Sequence, residues 1–164
     1  MNKIFIWYFI FGLTLFSCRE EKTQQNIITS EYKPLDLMDK GIPLKVNVPE
    51  GTIVKVDVES FYKDITLKDN KDYFIQIIAT EAFTNNIQDV KIEMEAEVRK
   101  NPFFSKMILE EENGFIFEKK TNDTTFNYDF RYIKLESDQQ YVFQAGLYGL
   151  FTKDQVKNMY ESVK

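Results

Sequence analysis

The chain has 164 residues, 43% apolar and 15% aromatic, with 21 basic against 26 acidic side chains, one cysteine and no histidine. That apolar content excludes wholesale disorder, and the acidic balance argues against nucleic acid, which favours basic faces. The absence of histidine removes Ser-His-Asp and Cys-His catalysis together with the commonest zinc ligand.

The chain opens with Met1-Asn2-Lys3 and continues from Ile4 to Phe16 with only Gly12 and Thr14 among large apolar side chains. As a helix this run rises about 20 Å, short of the roughly 30 Å hydrocarbon layer of a bilayer. A basic start, a short apolar core and a small residue before a break form the layout of a secretory signal. The break itself, Leu15-Phe16-Ser17-Cys18, resembles the lipobox of bacterial lipoproteins. Leu15 and Ser17 match the preferred types, while Phe16 departs from the small residue usual at its position. The resemblance covers the first 20 or so residues. It implies that residues 1–17 are a signal peptide removed before Cys18, that the Cys18 thiol carries lipid and the new N-terminus a fatty acyl chain such as palmitate. A lone thiol in an exported chain has no partner within its own chain, and acylation gives it a purpose. Several acyl chains on one residue hold durably where a single chain binds only marginally.

Residues 18–40, beginning Cys-Arg-Glu-Glu-Lys, read as the lipidated cysteine and a solvated tether. Glu20-Glu21 also resembles the short charged signals that send some lipoproteins to the cell surface. The expected location is therefore the bacterial envelope, on the outer membrane, facing the periplasm or the exterior. Without residues 1–17 the chain has 20 basic and 26 acidic side chains, a formal charge of −6, and no possible internal disulfide. The remainder, 41–164, suits one domain with its own core.

Along that domain, Leu44, Val46 and Val48 alternate with polar residues, PEGT at 49–52 turns the chain, and Val54, Val56 and Val58 alternate again. The pattern predicts two adjacent strands. Residues 64–68 read as a short strand, Asp69-Asn70-Lys71-Asp72 as a turn, and 73–80 (YFIQIIAT) as a buried strand. VKIEMEAEVRK at 90–100 alternates like a strand, yet Ile87, Val90, Met94 and Val98 share one helical stripe. Its Glu, Ala, Met, Lys and Arg content decides for helix. Asn86 serves as cap and Asp89 lies in the first turn, where the helix dipole favours negative charge. Arg99 and Lys100 occupy the last turn, and Pro102 restricts Asn101. Lys91–Glu95 and Glu95–Arg99 are spaced to pair, for about 0.3 kcal/mol each. The helix leaves Ile92 on its outer face.

Residues 106–111 and 115–119 flank Glu112-Asn113-Gly114, a hairpin signal because asparagine and glycine tolerate positive φ. A polar loop at 121–124 leads to a strand at 125–135, and a turn at 137–140 leads to another at 141–148. Thr152 and Gln155 fit a capping box, after which Val156, Met159, Tyr160 and Val163 take the i, i+3, i+4 and i+7 positions of a helix. Strands, a helix, four hairpin-linked strands and a closing helix make an α+β domain, an antiparallel sheet flanked by helices.

The PEGT turn, the helix ending near Asn101-Pro102, the Asn113-Gly114-Phe115 hairpin, the YxF strand at 141–143 and the closing amphipathic helix together resemble the PsbP-like fold. The resemblance spans roughly 40–164. Members of that family range from an extrinsic photosystem subunit to a nuclear-import accessory factor, so it implies a fold and no activity. No functional residue carries over.

Chemical motifs are sparse. No G-x-S-x-G, Walker A or G-x-G-x-x-G pattern occurs. Asp69, Asn70 and Asp72 lack the glycine of an EF-hand loop and read as turn residues, not calcium ligands. Glu93 and Glu97 would share a helix face, and with Glu95 they read as a solvated stripe in preference to paired glycosidase acids. No serine–lysine pair stands out. We therefore assign no catalytic residue, no metal ligand and no cofactor. The remaining constellation is aromatic. Phe126, Tyr128, Phe130 and Tyr132, with Tyr141, Phe143 and Tyr148 on the next strand, would form one continuous face. Core packing against a helix is the ordinary role of such a face, and an exposed platform for a glycan, peptide or lipophilic ligand is the functional one. The expected function is a lipid-anchored, non-enzymatic accessory module contacting another envelope protein. The alternative is a carrier or sensor of a small hydrophobic ligand between sheet and helix. A hydrolase using carboxylates alone ranks last, since it needs facing acids in a deep pocket and a raised pKa.

Overall fold

The computed structural model describes residues 32–164. The signal segment, Cys18 and the tether as far as residue 31 lie outside the described residues. Strands β1 (Lys33–Asp36) and β2 (Lys45–Val48) pair as a small antiparallel sheet, joined through a 3-10 turn at Met38–Lys40. Strands β3 (Ile53–Val58), β4 (Lys63–Lys68), β5 (Phe74–Glu81), β6 (Phe104–Glu111), β7 (Gly114–Lys120), β8 (Phe126–Glu136) and β9 (Gln139–Ala145) form the main sheet. Its order is β3-β4-β5-β9-β8-β7-β6, with every neighbouring pair antiparallel. Helix α1 (Ile87–Lys100) connects β5 to β6, and α2 (Lys153–Ser162) closes the domain. The architecture is α+β. Among the described residues no helix is long and apolar enough to cross a membrane.

Pleating gives the sheet two apolar faces with different covers. The inner face presents Ile65, Leu67, Ile75, Ile77, Ile116, Phe130, Tyr141 and Phe143 to the main core. Val156, Met159 and Tyr160 of α2, Val163 just after it, and Leu37, Ile42, Leu44, Val46 and Val48 of the N-terminal unit cover it. On the outer face, Phe115 and Phe117 of β7 pack beneath Val98 and Met94 of α1. The result is three layers: α1, the sheet, and α2 with the small sheet.

Local signals settle both helices. The Asn86 side chain accepts from the Gln88 N–H at 3.1 Å, and Val90 and Val98 are buried while Ile92 stays exposed. Glu95 pairs with Lys91 at 3.4 Å and lies 4.0 Å from Arg99. For α2, Thr152 Oγ1 accepts from the Gln155 N–H at 3.3 Å and Gln155 Oε1 accepts from the Thr152 N–H at 2.8 Å. The reciprocal pair satisfies two donors that a helix start leaves open.

Four expectations change. The β2 and β3 strands are not neighbours: β2 pairs with β1, and β3 with β4. Alternation in β2 reports which side chains are buried and is silent on which strand lies alongside. The folded domain also begins before residue 41, since β1 occupies the segment expected to be tether and Leu37 is buried. In the β6–β7 hairpin, Glu111 pairs with Gly114, so Glu112 and Asn113 are the turn, and neither has positive φ. Gly114 is needed for closeness instead, because a Cβ there would lie 2.4 Å from the Arg131 carbonyl oxygen of β8. Finally, β9 stops at Ala145. The Gly146 N–H donates to the Phe74 carbonyl at 2.8 Å, and the chain leaves the sheet as a loop.

Candidate functional site

Three members of the aromatic ladder belong to the core. Phe130, Tyr141 and Phe143 are buried in the main core, Tyr128 and Tyr132 are half-buried, and Phe126 is substantially exposed at 47%. Tyr160 of α2 meets both Phe130 and Tyr132 edge-on, at ring-centre distances of 5.8 and 5.6 Å. Phe130, Tyr141 and Phe143 are therefore core residues, and α2 turns its apolar stripe onto Phe130 and Tyr132. The same side chains pack together in the layer between sheet and α2. Tyr148 lies apart from the ladder, fully exposed on the loop after β9.

The accessible surface lies on the other side of the sheet. Helix α1 covers the outer face over β6, β7 and β8, and beside it the face is concave over β4, β5 and the ends of β3 and β9. There a shallow concavity of about 820 Å³ runs along the strands. Phe61 and Tyr62 of the β3–β4 turn and Phe83 of the β5–α1 loop border one end, and Leu147 borders the other. Phe61 and Phe83 are 90% and 93% exposed, well beyond what scattered surface residues require.

Its floor is a polar ladder across three strands. Gln144 Nε2 donates to Gln76 Oε1 at 2.8 Å, and Gln76 Nε2 donates to Asp64 Oδ2 at 2.6 Å. Gln76 and Gln144 lie directly opposite each other in the β5–β9 register. Both amide donors point towards Asp64, so the ladder ends in an acceptor. Asp64 Oδ1 is shielded and has no hydrogen-bond partner among the described residues. Asp57 sits opposite Asp64, but its Oδ2 takes the Lys55 ammonium at 2.6 Å. The face thus combines exposed aromatic rings at its rim with a polar, acidic floor, and apolar rims of this kind mark interaction surfaces. Glu59, Asp64 and Glu81 against Lys63 leave the lining acidic.

Several carboxylates elsewhere are held by structure. Glu118 is buried and accepts from Ser105 Oγ at 2.9 Å and Tyr128 OH at 3.0 Å, with Lys106 at 3.6 Å. Burial pushes its carboxyl upward, and these three donors outweigh that and hold it below the ordinary value. Asp129 receives Lys119, Arg131 and the Phe130 and Ala145 N–H groups. Asp69 Oδ1 closes its turn by accepting from the Lys71 and Tyr73 N–H groups. Glu93 and Glu97 stay exposed on α1. Among the described residues no cluster of acidic side chains is arranged to hold a metal ion.

Sequence reasoning passed over Asp64, Gln76, Gln144, Phe61 and Phe83. One signal was present: Gln76 interrupts the apolar run YFIQIIAT, and a glutamine inside a buried strand requires a partner. Comparison with protein-family models and with curated proteins finds no match for this chain.

Proposed function

We propose that the chain is a non-enzymatic envelope module, tied to a bilayer through lipid on Cys18, that docks another envelope protein on the open half of its sheet. The observation that supports docking most is the polar ladder Asp64–Gln76–Gln144 lying between exposed Phe61, Phe83 and Leu147. A bare sheet face that served only as solvent boundary would have no use for fully exposed phenylalanines at its rim. The lipobox-like Leu15 to Cys18 supports the anchor, which places the module on the outer membrane, towards the periplasm or the cell surface. The order of elements, with one helix between β5 and β6 and an amphipathic helix after β9, supports the PsbP-like reading of the fold.

Cross-linking in the native host tests the proposal. A photoreactive phenylalanine at position 83 or 61 should give one discrete protein adduct in the membrane fraction, whereas the same group at exposed Ile92 on α1 should give none. Cys18→Ala should lose lipid labelling and move the chain to the soluble fraction. Absence of an adduct from both phenylalanine positions in every growth phase removes the docking reading. Full membrane retention of Cys18→Ala removes the anchor.

A further inference from the structure

We propose that the loop between β9 and α2 is a membrane-contact loop, with Leu147, Tyr148 and Leu150 resting in the interface of the bilayer to which Cys18 is tied. This rests on the anchor proposed above and adds an orientation to it. The sequence Gly-Leu-Tyr-Gly-Leu-Phe at 146–151 has no charged residue, and Leu147, Tyr148 and Leu150 are all exposed. Tyr148 projects its whole ring into solvent from a backbone at φ +65°, a conformation that L residues other than Asn and Asp seldom adopt.

The loop is held in that shape. Asn127 accepts the Phe151 N–H at 2.8 Å and donates to the Gly149 carbonyl at 3.2 Å. A Cβ on Gly146 would lie 2.2 Å from the Phe74 ring, and one on Gly149 would lie 2.1 Å from the Phe151 ring. Backbone strain maintained by surrounding structure is a feature of ligand-contacting segments.

Position identifies the occupant. The Tyr32 ring packs edge-on against Tyr73 at 5.6 Å, and the next residue, Phe74, accepts the Gly146 N–H at 2.8 Å. The chain arriving from Cys18 therefore joins the domain at the end from which the loop projects. Residues 19–31 bridge no more than about 50 Å even when fully extended. The rim at Phe61 and Phe83 lies at the opposite end of the strands, about 25 Å further away. Beside Tyr32, Lys33 and Lys71 face Glu50, Asp69 and Asp72, with no basic excess, so the contact depends on apolar insertion and needs no anionic lipid. Tyrosine between leucines suits the depth where one end of a side chain is wet and the other is not. With this end on the bilayer, the docking concavity runs outward from Leu147 to Phe61 and Phe83.

The mature chain, 18–164, allows a direct test, since its only thiol is Cys18 and Trp7 is removed with the leader. Coupling Cys18 to a maleimide lipid in phosphatidylcholine vesicles supplies an anchor whether or not the native host acylates it. Failure of this test is thus separate from failure of the lipobox reading, which the mass of native protein decides. Tyr148→Trp, and independently Leu150→Trp, should show blue-shifted emission on vesicles and quenching by brominated acyl chains. Phe83→Trp at the far end should keep the emission of indole in water. Unchanged emission from both loop reporters overturns the inference, as does an equal response from position 83. A shift that grows with protein concentration in the absence of vesicles assigns the loop to a second copy and also overturns it.

Discussion

Asn127 is a buried side chain whose amide serves a single loop from both ends. Its oxygen holds the Phe151 N–H and its nitrogen reaches the Gly149 carbonyl. Asn127→Ala strands a buried donor and removes the clamp that keeps Tyr148 at positive φ, at a cost of about 2 kcal/mol. Urea unfolding of variant and parent, with equal slopes, should show that loss in the midpoint. Asn127→Asp retains the acceptor for Phe151 and should cost less than the alanine. The role of this asparagine was not legible in the sequence, where it is one of three polar residues alternating with aromatics. Asp129, its neighbour on the same strand, is equally structural, because it gathers two cations and two backbone N–H groups. A polar residue in a strand advertises one face, and only the fold reveals whether water or protein meets it there.

The clearest elements in the sequence were those specified within a few residues. Both helices carry their caps and stripes locally, so α1 was readable although residues 90–100 alternate as a strand would. Pairing between distant segments was not readable, which is why β2 was expected beside β3. The corner of β6, β7 and β8 shows what such pairing creates. Glu118 lies opposite Tyr128 in the β7–β8 register and beside Lys106 and Ser105 of β6. Because its folded pKa is lowered from 4.5, it stabilises fully above that value, and the contribution fades as pH falls through the depressed pKa. Glu118→Gln should therefore melt below the parent at neutral pH. The difference between the two should shrink as pH falls below 4.5 and the parent's carboxylate takes up its proton. A gap in melting temperature that stays constant with pH would place the cost in packing, not in charge.

At the scale of the whole molecule, the N-terminal unit is both cover and connection. Leu37, Ile42, Leu44, Val46 and Val48 close the inner face of the main sheet over Ile65, Leu67, Ile75 and Ile77, and β1 holds β2 in place. The Leu37 N–H donates to the Leu44 carbonyl at 2.9 Å, and Tyr73 OH donates to the Asn47 carbonyl at 3.2 Å, so the unit is stitched to itself and to the sheet. A chain beginning at residue 41 keeps most of the apolar cover but loses Leu37, Tyr32 and the strand that pairs with β2. Removing one fully buried leucine and leaving its cavity costs about 3 kcal/mol, before the unpaired edge of β2 is counted. Chains beginning at 32 and at 41, compared by denaturant unfolding, should therefore differ by at least that amount, with the longer one matching a chain that begins at residue 18. Equal stability would mean that β1 adds nothing to the core. The expected difference has a mechanical side: force applied ahead of Tyr32 meets β1, whose own side chains are mostly exposed, and passes through its pairing with β2 and through buried Leu37 into the core.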